Sequence, residues 1–399
     1  MLSCKNTPKA LKSVLSALFL VLFFNGFAYE PEETLKADSA KQHATEEKHG
    51  FDAGHLITEH IADSHEWHLF GEGENAVSIP LPIIVYSKTK GLDVFLSSKF
   101  EHGHAAYHGY KLEENKIVPA EEIGAEGEDV VENAATGSIE DIWDFSITKN
   151  VFVLLFSSLL MLWIFMSVAK SYIKRGSNQA PKGLQSFVEP LIMFIRDDVA
   201  KTSIGEKKYE KYMPYLLTVF FFIFINNLLG LIPIIPGGAN LTGNIAVCLV
   251  LAAFTLVIVL FSGNAHYWRH IFAMPGVPIP VLIILTPIEL IGVVLRPFVL
   301  MIRLFANITA GHIIALAFFS LIFIFGEMSA GAGLGVAVVS VLFTVFMGFL
   351  ELLVAFLQAY VFTLLSAIYI GSAVEEGHHQ HDEHHAHEGH QPEAQIDIV

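Results

Sequence analysis

The sequence predicts an all-α polytopic membrane protein with about five membrane helices, and three observations support this fold class. The chain has 399 residues, of which 53% are hydrophobic and 16% are charged, whereas soluble domains carry about 25% charged residues. Its mean hydropathy is +0.52. The apolar residues fall into runs long enough to cross a hydrocarbon core of about 30 Å. This composition excludes a nucleic-acid-binding protein, a disordered scaffold and an ordinary soluble enzyme.

Charge divides the chain into an apolar body and acidic ends. Residues 29–150 contain 25 acidic residues and 9 Lys/Arg, and residues 371–399 contain 7 acidic residues and no Lys/Arg. Residues 151–370 contain only 8 acidic residues and 12 Lys/Arg. We therefore predict a signal peptide over 1–28, an acidic His-rich extracytoplasmic region over 29–150, a membrane domain over 151–370 and a His-rich acidic cytoplasmic tail over 371–399.

The N-terminus has the pattern of a secretory signal. Lys5, Lys9 and Lys12 precede the apolar run VLSALFLVLFF, and NGFAYE offers a cleavage site after Ala28. An uncleaved anchor is the alternative, and either interpretation places the next segment outside the cytoplasm. In that segment, AVSIPLPIIVYS and GLDVFLSS alternate enough to predict a small β element. The remainder of 29–150 is predicted to be loosely ordered.

The first half of the apolar body predicts three membrane helices and one surface helix. Residues 151–169 form a span that ends at the basic KSYIKRG, so this end is cytoplasmic by the positive-inside rule. Residues 183–212 mix apolar and charged positions, which predicts an amphipathic helix on the inner membrane surface. Four lysines of this helix are expected near the headgroups: Lys201, Lys207, Lys208 and Lys211. Residues 213–235 then cross outward and residues 241–262 return.

The last third of the chain is unusually apolar. From Val281 to Ile370 the sequence is almost wholly apolar, with one break at GEMSAGAGLG, residues 326–335. This stretch is too long for two ordinary spans of about 20 residues. It predicts two long, strongly tilted helices joined by a Gly-rich hairpin. The tail then emerges in the cytoplasm.

Six charged side chains remain between Tyr212 and Ile370: Arg269, Glu289, Arg296, Arg303, Glu327 and Glu351. Each costs roughly 2.5–3.5 kcal/mol at the bilayer centre. Arg269 and Glu327 lie in predicted loops, and Arg296 lies near the inner interface, where its side chain can reach the headgroups. Arg303 lies well inside a span, so it is predicted to be functional.

The spacing of the polar residues around Arg303 suggests a path. Glu289, Arg296 and Arg303 are seven residues apart, and Asn307 follows one turn later, so all four are predicted on one helix face. Glu289 and Arg296 lie on the cytoplasmic side of Arg303.

A second polar set lies on the outer side of Arg303. It consists of Asn227, His312 and Glu351. A guanidinium group keeps its proton in a protein. Arg303 is therefore predicted to be a fixed positive charge between two polar half-paths.

Three motifs carry a family resemblance. RLFANITAGH, ELLVAFLQAYVFTLLSAIYI and INNLLGLIP resemble subunit a of the F-type ATP synthase, and the resemblance covers about residues 170–374. It implies a non-catalytic, proton-translocating stator subunit in a bacterial inner membrane. The implied partners are the c-subunit ring, the b-subunit peripheral stalk and the remaining ATP synthase subunits. No cofactor is implied, and the chain has no GxxxxGK phosphate-binding loop.

The resemblance also implies roles for single residues. Arg303 matches the essential stator arginine, which faces the c-ring, and Asn307 matches the asparagine of the same motif. Gln358 matches the glutamine that faces the arginine. Glu289 matches the carboxylate of the cytoplasmic half-channel, and Asn227 matches an asparagine of the outer one.

This sequence departs from some family members at the outer site. Where they have Glu after Ala-Gly and His on the last helix, it has His312 and Glu351. The two are exchanged between the helices, and such an exchange preserves a carboxylate–imidazole site if they face each other. Gly230 stands where some members carry an acid, so it contributes no proton relay. H⁺ and Na⁺ both remain open as the coupling ion.

Two other function classes are alternatives for a polytopic membrane protein with this sequence. A secondary transporter is expected to contain internal repeats and broken helices around a midplane site, and the sequence has no convincing repeat. A metal-ion exporter is suggested by the tail HHQHDEHHAHEGH, because histidine clusters bind Zn²⁺ or Ni²⁺. Weak candidate ligands there are His378, His379, His381, His384 and His385. However, Cys4 and Cys248 are far apart and His312 is isolated in the apolar body, so no metal site is predicted in the membrane.

Overall fold

A computed structural model describes residues 54, 57, 61–70, 77–88, 90–103, 105–113, 115–120, 142–176, 179–232, 238–274 and 276–375. Five helices among them are long and apolar enough to cross a membrane. This finding confirms the all-α polytopic fold predicted for the membrane part. The predicted signal peptide and the candidate metal-ligating histidines of the tail lie outside the described residues.

The helices follow one another in the predicted order. Their bounds are α1 Lys149–Arg175, α2 Leu184–Phe194, α3 Thr202–Ile204, α4 Tyr209–Leu231, α5 Ile245–Ser262, α6 Ala265–Phe272, α7 Ile279–Met328 and α8 Ala330–Val374. Helices α7 and α8 contain 50 and 45 residues, so at 1.5 Å per residue each is about twice as long as the hydrocarbon core is thick.

Seven short strands lie among the residues that the structure describes before α1. They are β1 Glu66–Phe70, β2 Val77–Pro80, β3 Pro82–Ser87, β4 Gly91–Leu96, β5 Tyr110–Glu113, β6 Lys116–Pro119 and β7 Ile142–Asp144. β1 pairs with β2 and β5 with β6, and the third sheet has the order β4-β3-β7; every pairing is antiparallel. We call the described residues from 61 to 148 the β unit.

The β unit has its own small core. Ile83 and Val85 on one face of β3 are fully buried against Phe100, Tyr110 and Ile117. The predicted β element is therefore present over β2, β3 and β4. The expectation that the remainder is loosely ordered is wrong for β1, β5, β6 and β7, because short strands with only one or two core positions leave little periodic signal.

The β unit is anchored on the N-terminal end of α1. The Asp63 carboxylate accepts hydrogen bonds from the Thr148 hydroxyl at 2.9 Å and from the Asn150 amide at 3.1 Å. A carboxylate at a helix N-terminus also interacts favourably with the helix dipole. The Trp67 ring meets Phe152 edge-on at 5.6 Å and packs in a cluster with Leu229 of α4.

The inner-surface segment differs from the single helix predicted over 183–212. It consists of α2, a π-helical turn over Ile195–Lys201 and α3, and it ends at Gly205, whose φ is +91°. Residues 209–212 belong to the membrane helix α4 instead. The break follows from glycine, which alone adopts this backbone conformation without strain.

The hairpin between α7 and α8 is tighter than the predicted break over 326–335. Only Ser329 leaves helical geometry, and its side chain caps α8 by accepting a hydrogen bond from the Ala332 amide at 3.1 Å. Two glycines permit this closeness, since a Cβ placed on Gly333 would lie 2.7 Å from the Gly326 Cα. The remaining hairpin glycines continue the helix.

The C-terminal end of α8 is held by three segments. The Gly371 backbone crosses α3 so closely that an added Cβ would lie 1.9 Å from the Ser203 carbonyl oxygen. The Asn264 side-chain amide and the Lys208 ammonium each donate to the Val374 carbonyl at 2.8 Å. This end of α8 is therefore tied to the inner-surface segment and to the start of α6.

Candidate functional site

Arg303 and Asn307 project from α7 away from the core of the chain. The buried face of this stretch is formed by Leu300, Leu304 and Ile308, which are at most 4% exposed. Arg303 and Asn307 are both exposed. A charged group in an apolar helix is costly unless it meets a partner, so this side of α7 has the character of a contact surface.

Gln358 lies on α8 at the depth of Arg303. Helices α7 and α8 are antiparallel. Their register is fixed at two close contacts, one between Gly326 and Gly333 and the other between Gly311 and Glu351. Eight residues back along α7 from Gly311 and seven residues forward along α8 from Glu351 bring Arg303 opposite Gln358. The Gln358 side chain is largely buried.

His312 and Glu351 lie in contact between the two long helices. The His312 Nδ1 lies 3.1 Å from the Glu351 Oε1, and the side chains are 21% and 10% exposed. A Cβ placed on Gly311 would lie 3.2 Å from the same carboxylate oxygen. The absence of a side chain at Gly311 therefore lets the carboxylate approach α7.

Gly230 faces the other side of the His312 ring. A Cβ added there would lie 3.6 Å from the His312 Nε2. One imidazole thus has the Glu351 carboxylate at one nitrogen and the helix α4 at the other.

Both polar groups of the Asn227 side chain form hydrogen bonds within the chain. Its side-chain amide donates to the Ala355 carbonyl of α8 at 3.1 Å, and its carbonyl accepts from the Thr242 hydroxyl at 2.6 Å. Thr242, which is buried, was not predicted from the sequence. Thr242 lies in a short polar turn, where a threonine is not unusual. The one feature of the sequence that could have pointed to it is its position just before a membrane helix.

Buried polar atoms without a protein partner lie on α4 and α7. Among the described residues they include the Asn226 Oδ1, one turn from Gly230, and the Thr309 Oγ1, three residues before His312. Buried polar atoms are nearly always hydrogen-bonded to protein or to water. These two atoms are therefore candidates for water-binding groups near the outer site.

The inner polar set is larger than predicted. The Arg296 guanidinium stacks over the Tyr369 ring at 5.9 Å, and the two line a small pocket together with Tyr267. Glu289 and Arg296 both act electrostatically on Tyr267. Arg296 thus packs on the Tyr369 ring and shares a pocket with Tyr267. The tyrosines were missed as site residues because Tyr267 reads as interfacial and Tyr369 as part of an apolar run.

A metal site receives no support from the described residues, in which no group of three or more His, Cys, Asp or Glu side chains is close enough to hold an ion. The polar groups of the membrane part instead lie mainly on α4, α7 and α8, with a histidine–carboxylate pair at one level and the exposed Arg303 at another. Fold and site together define a polytopic membrane protein of the ion-translocating class.

Comparison with known families makes the assignment specific. A family model described as the ATP synthase A chain matches residues 151–371, and a domain of unknown function, DUF8433, matches residues 56–145. The chain belongs to the ATP synthase A chain family. The transporter and exporter alternatives are not favoured by this match.

Individual relatives agree with the family match. The chain is 47% identical over 246 residues to ATP synthase subunit a 2 of Chlorobaculum tepidum, which covers 60% of this chain and 67% of the relative. It is 45% identical over 240 residues to ATP synthase subunit a of Chloroherpeton thalassium, covering 59% and 69%. A subunit a of Chlorobium phaeobacteroides is 41% identical over 292 residues, covering 70% and 80%.

Proposed function

We propose that Arg303 divides the ion path of this ATP synthase subunit into an outer and an inner half. The observation that best supports this proposal is the His312–Glu351 contact of 3.1 Å at one level of the long helices. Along α7, His312 lies about 14 Å from Arg303 and Glu289 lies about 21 Å from it in the other direction. The arginine therefore stands between two separate polar groups.

In this proposal, Arg303 acts on a carboxylate of a rotating c-ring. Its exposure on α7 leaves the guanidinium free to meet a partner chain. An opposite charge within about 4–6 Å favours the ionised form of a carboxylate. A protonated ring carboxylate that reaches Arg303 therefore releases its proton toward the inner half-path, and the fixed charge prevents direct leakage between the halves.

The outer half-path is proposed to pass the His312–Glu351 pair. Two groups that each bind and release a proton lie in contact there, within an otherwise apolar region, so a proton can move from one to the other. Asn227 supports the pair indirectly, because it hydrogen-bonds the Ala355 carbonyl one turn after Glu351. We assign Asn227 a positioning role beside the path.

The inner half-path is proposed to run past Glu289 and Arg296. Glu289 supplies the proton-accepting carboxylate. Arg296, held over the Tyr369 ring, supplies a positive charge on the same half-path. The path opens near α6, whose Tyr267 lines the same pocket.

The chain is further proposed to work in a bacterial inner membrane with a b-subunit peripheral stalk and the remaining ATP synthase subunits. Residues 29–150 lie outside and the tail lies in the cytoplasm, because the basic flank after α1 marks the inner side. Cysteines introduced at Glu101 and His384 should react with an impermeant reagent from opposite sides of the membrane. Reaction from the same side would overturn this topology.

The central test is Arg303→Ala in the intact complex. ATP-driven acidification of inverted membrane vesicles should be lost, because no fixed charge separates the half-paths. Ile302→Ala is the matched control, since Ile302 is the neighbouring exposed apolar residue on the same helix and should pump normally. Normal acidification by Arg303→Ala, with the complex assembled, would refute the proposal.

A further inference from the structure

The β unit exposes one entirely apolar sheet face. Side chains alternate along a strand, and cross-strand partners share a face. Tyr86 pairs with Leu92 and with Trp143, and Ile84 pairs with Val94. The apolar sheet face consists of Pro82, Ile84, Tyr86, Leu92, Val94, Leu96, Trp143 and Phe145, and none of these eight residues is charged.

This face is open to the surroundings. Leu92, Val94, Trp143 and Phe145 are 64%, 63%, 57% and 58% exposed. The opposite face of the same sheet is covered by the core around Phe100. Contiguous exposed apolar patches of this kind mark contacts with a protein or a membrane.

The apolar sheet face is directly connected to the membrane. Phe145 lies three residues before Thr148, the N-cap of α1, so the connector spans at most about 11 Å. The first turns of α1 expose further apolar side chains, including Leu155 at 53% and Leu159 at 67%. The Trp143 and Phe145 rings lie 6.3 Å apart at the junction. Aromatic side chains are typical of the level at which headgroups meet hydrocarbon.

Neither acidic segment of the N-terminal region suits this face. Residues 121–141, which join β6 to β7, carry 8 acidic residues and no Lys/Arg. Residues 29–60 carry 8 acidic residues and 3 Lys. Covering the face with either would bring carboxylates onto an uncharged apolar surface, which is costly without a partner.

We propose that the apolar sheet face lies on the lipid bilayer, in the leaflet that α1 enters. The β unit is then a peripheral membrane-contact element that continues the lipid-facing surface of α1. Its aromatic edge sits among the headgroups, and Leu92, Val94 and Leu96 face the outer part of the acyl chains. The proposal holds for either orientation of the chain across the membrane, so it does not depend on the proposed ion path.

Spin labels on the intact complex in lipid nanodiscs test the proposal. Single cysteines replace Leu92 or Val94 in a Cys4→Ser background, while Cys248 is fully buried and escapes labelling. Lys116→Cys is the matched control, because it is an exposed strand residue outside the apolar sheet face. Collisions with oxygen, which concentrates in lipid, are compared with collisions with a water-soluble nickel chelate.

The oxygen-to-nickel collision ratio should be several-fold higher at residues 92 and 94 than at residue 116. Equal ratios at all three sites would show that the face is in water and would overturn the proposal. Low collision rates with both reagents at 92 and 94 would show a protein on the face and would equally overturn it. ATP-driven acidification by the same variants confirms that the complex is intact, and its outcome is independent of the lipid contact.

Discussion

A single methyl group at Gly371 should displace the C-terminal end of α8. In Gly371→Ala the new Cβ would lie 1.9 Å from the Ser203 carbonyl oxygen and 2.9 Å from its carbon. Carbon and oxygen atoms in contact are normally at least about 3.3 Å apart, so the helix must move by about 1.4 Å. The obstructing atoms are backbone, and no side-chain rotation relieves the overlap.

The cost follows from the contacts that this shift strains. Overpacking of a tight contact destabilises by about 1–3 kcal/mol. The shift also strains the two hydrogen bonds to the Val374 carbonyl, from Lys208 and Asn264 at 2.8 Å, each with a net value of about 1 kcal/mol. Tyr369, two residues before Gly371, would move with the helix and disturb its contact with Arg296. We therefore expect a loss of about 2–4 kcal/mol and impaired proton exit.

Gly348→Ala on the same helix is the matched control. A Cβ there meets nothing within 4 Å, and alanine favours a helix over glycine by about 0.5–1 kcal/mol. Thermal unfolding of the complex in detergent should show a lower midpoint for Gly371→Ala and an unchanged or higher one for Gly348→Ala. Equal midpoints and equal ATP-driven acidification in the two variants would refute the close-crossing argument.

Three further predictions concern charge. Arg303→Lys should pump poorly, since a flexible ammonium lacks the planar fork of guanidinium and can lose its proton when desolvated; near-normal acidification would show that charge alone suffices. The double exchange His312→Glu with Glu351→His should recover more pumping than either single change. A double variant that pumps no better than the worse single variant would show that the two side chains do not share a site. Burial acts to raise the pKa of Asp144, but hydrogen bonds from His65 and from the Ser146 amide hold that pKa below its usual 3.8. The stabilising contribution of Asp144 is therefore present above pH 3.8 and lost as the pH falls through the lower folded value, so the unfolding midpoints of wild type and Asp144→Asn should converge at acid pH.

The sequence alone determined the membrane architecture and singled out Arg303. Both conclusions rest on local properties, because the length of an apolar run measures a span and a charge within such a run is costly wherever the helix packs. The β element over β2, β3 and β4 was predictable for the same reason, since alternation over several residues is written in the strand itself.

The tertiary structure decided how distant segments meet. The contact of His312 with Glu351 depends on the register of α7 and α8, which two glycine approaches set. Three other contacts likewise join elements far apart in the chain. They are the Asn227–Thr242 hydrogen bond, the contact of Arg296 with the Tyr369 ring and the packing of Trp67 against α1. Hydropathy and helical periodicity describe which face of an element is apolar, but they carry no information about which neighbour covers it. These contacts therefore became visible only once the helices were packed.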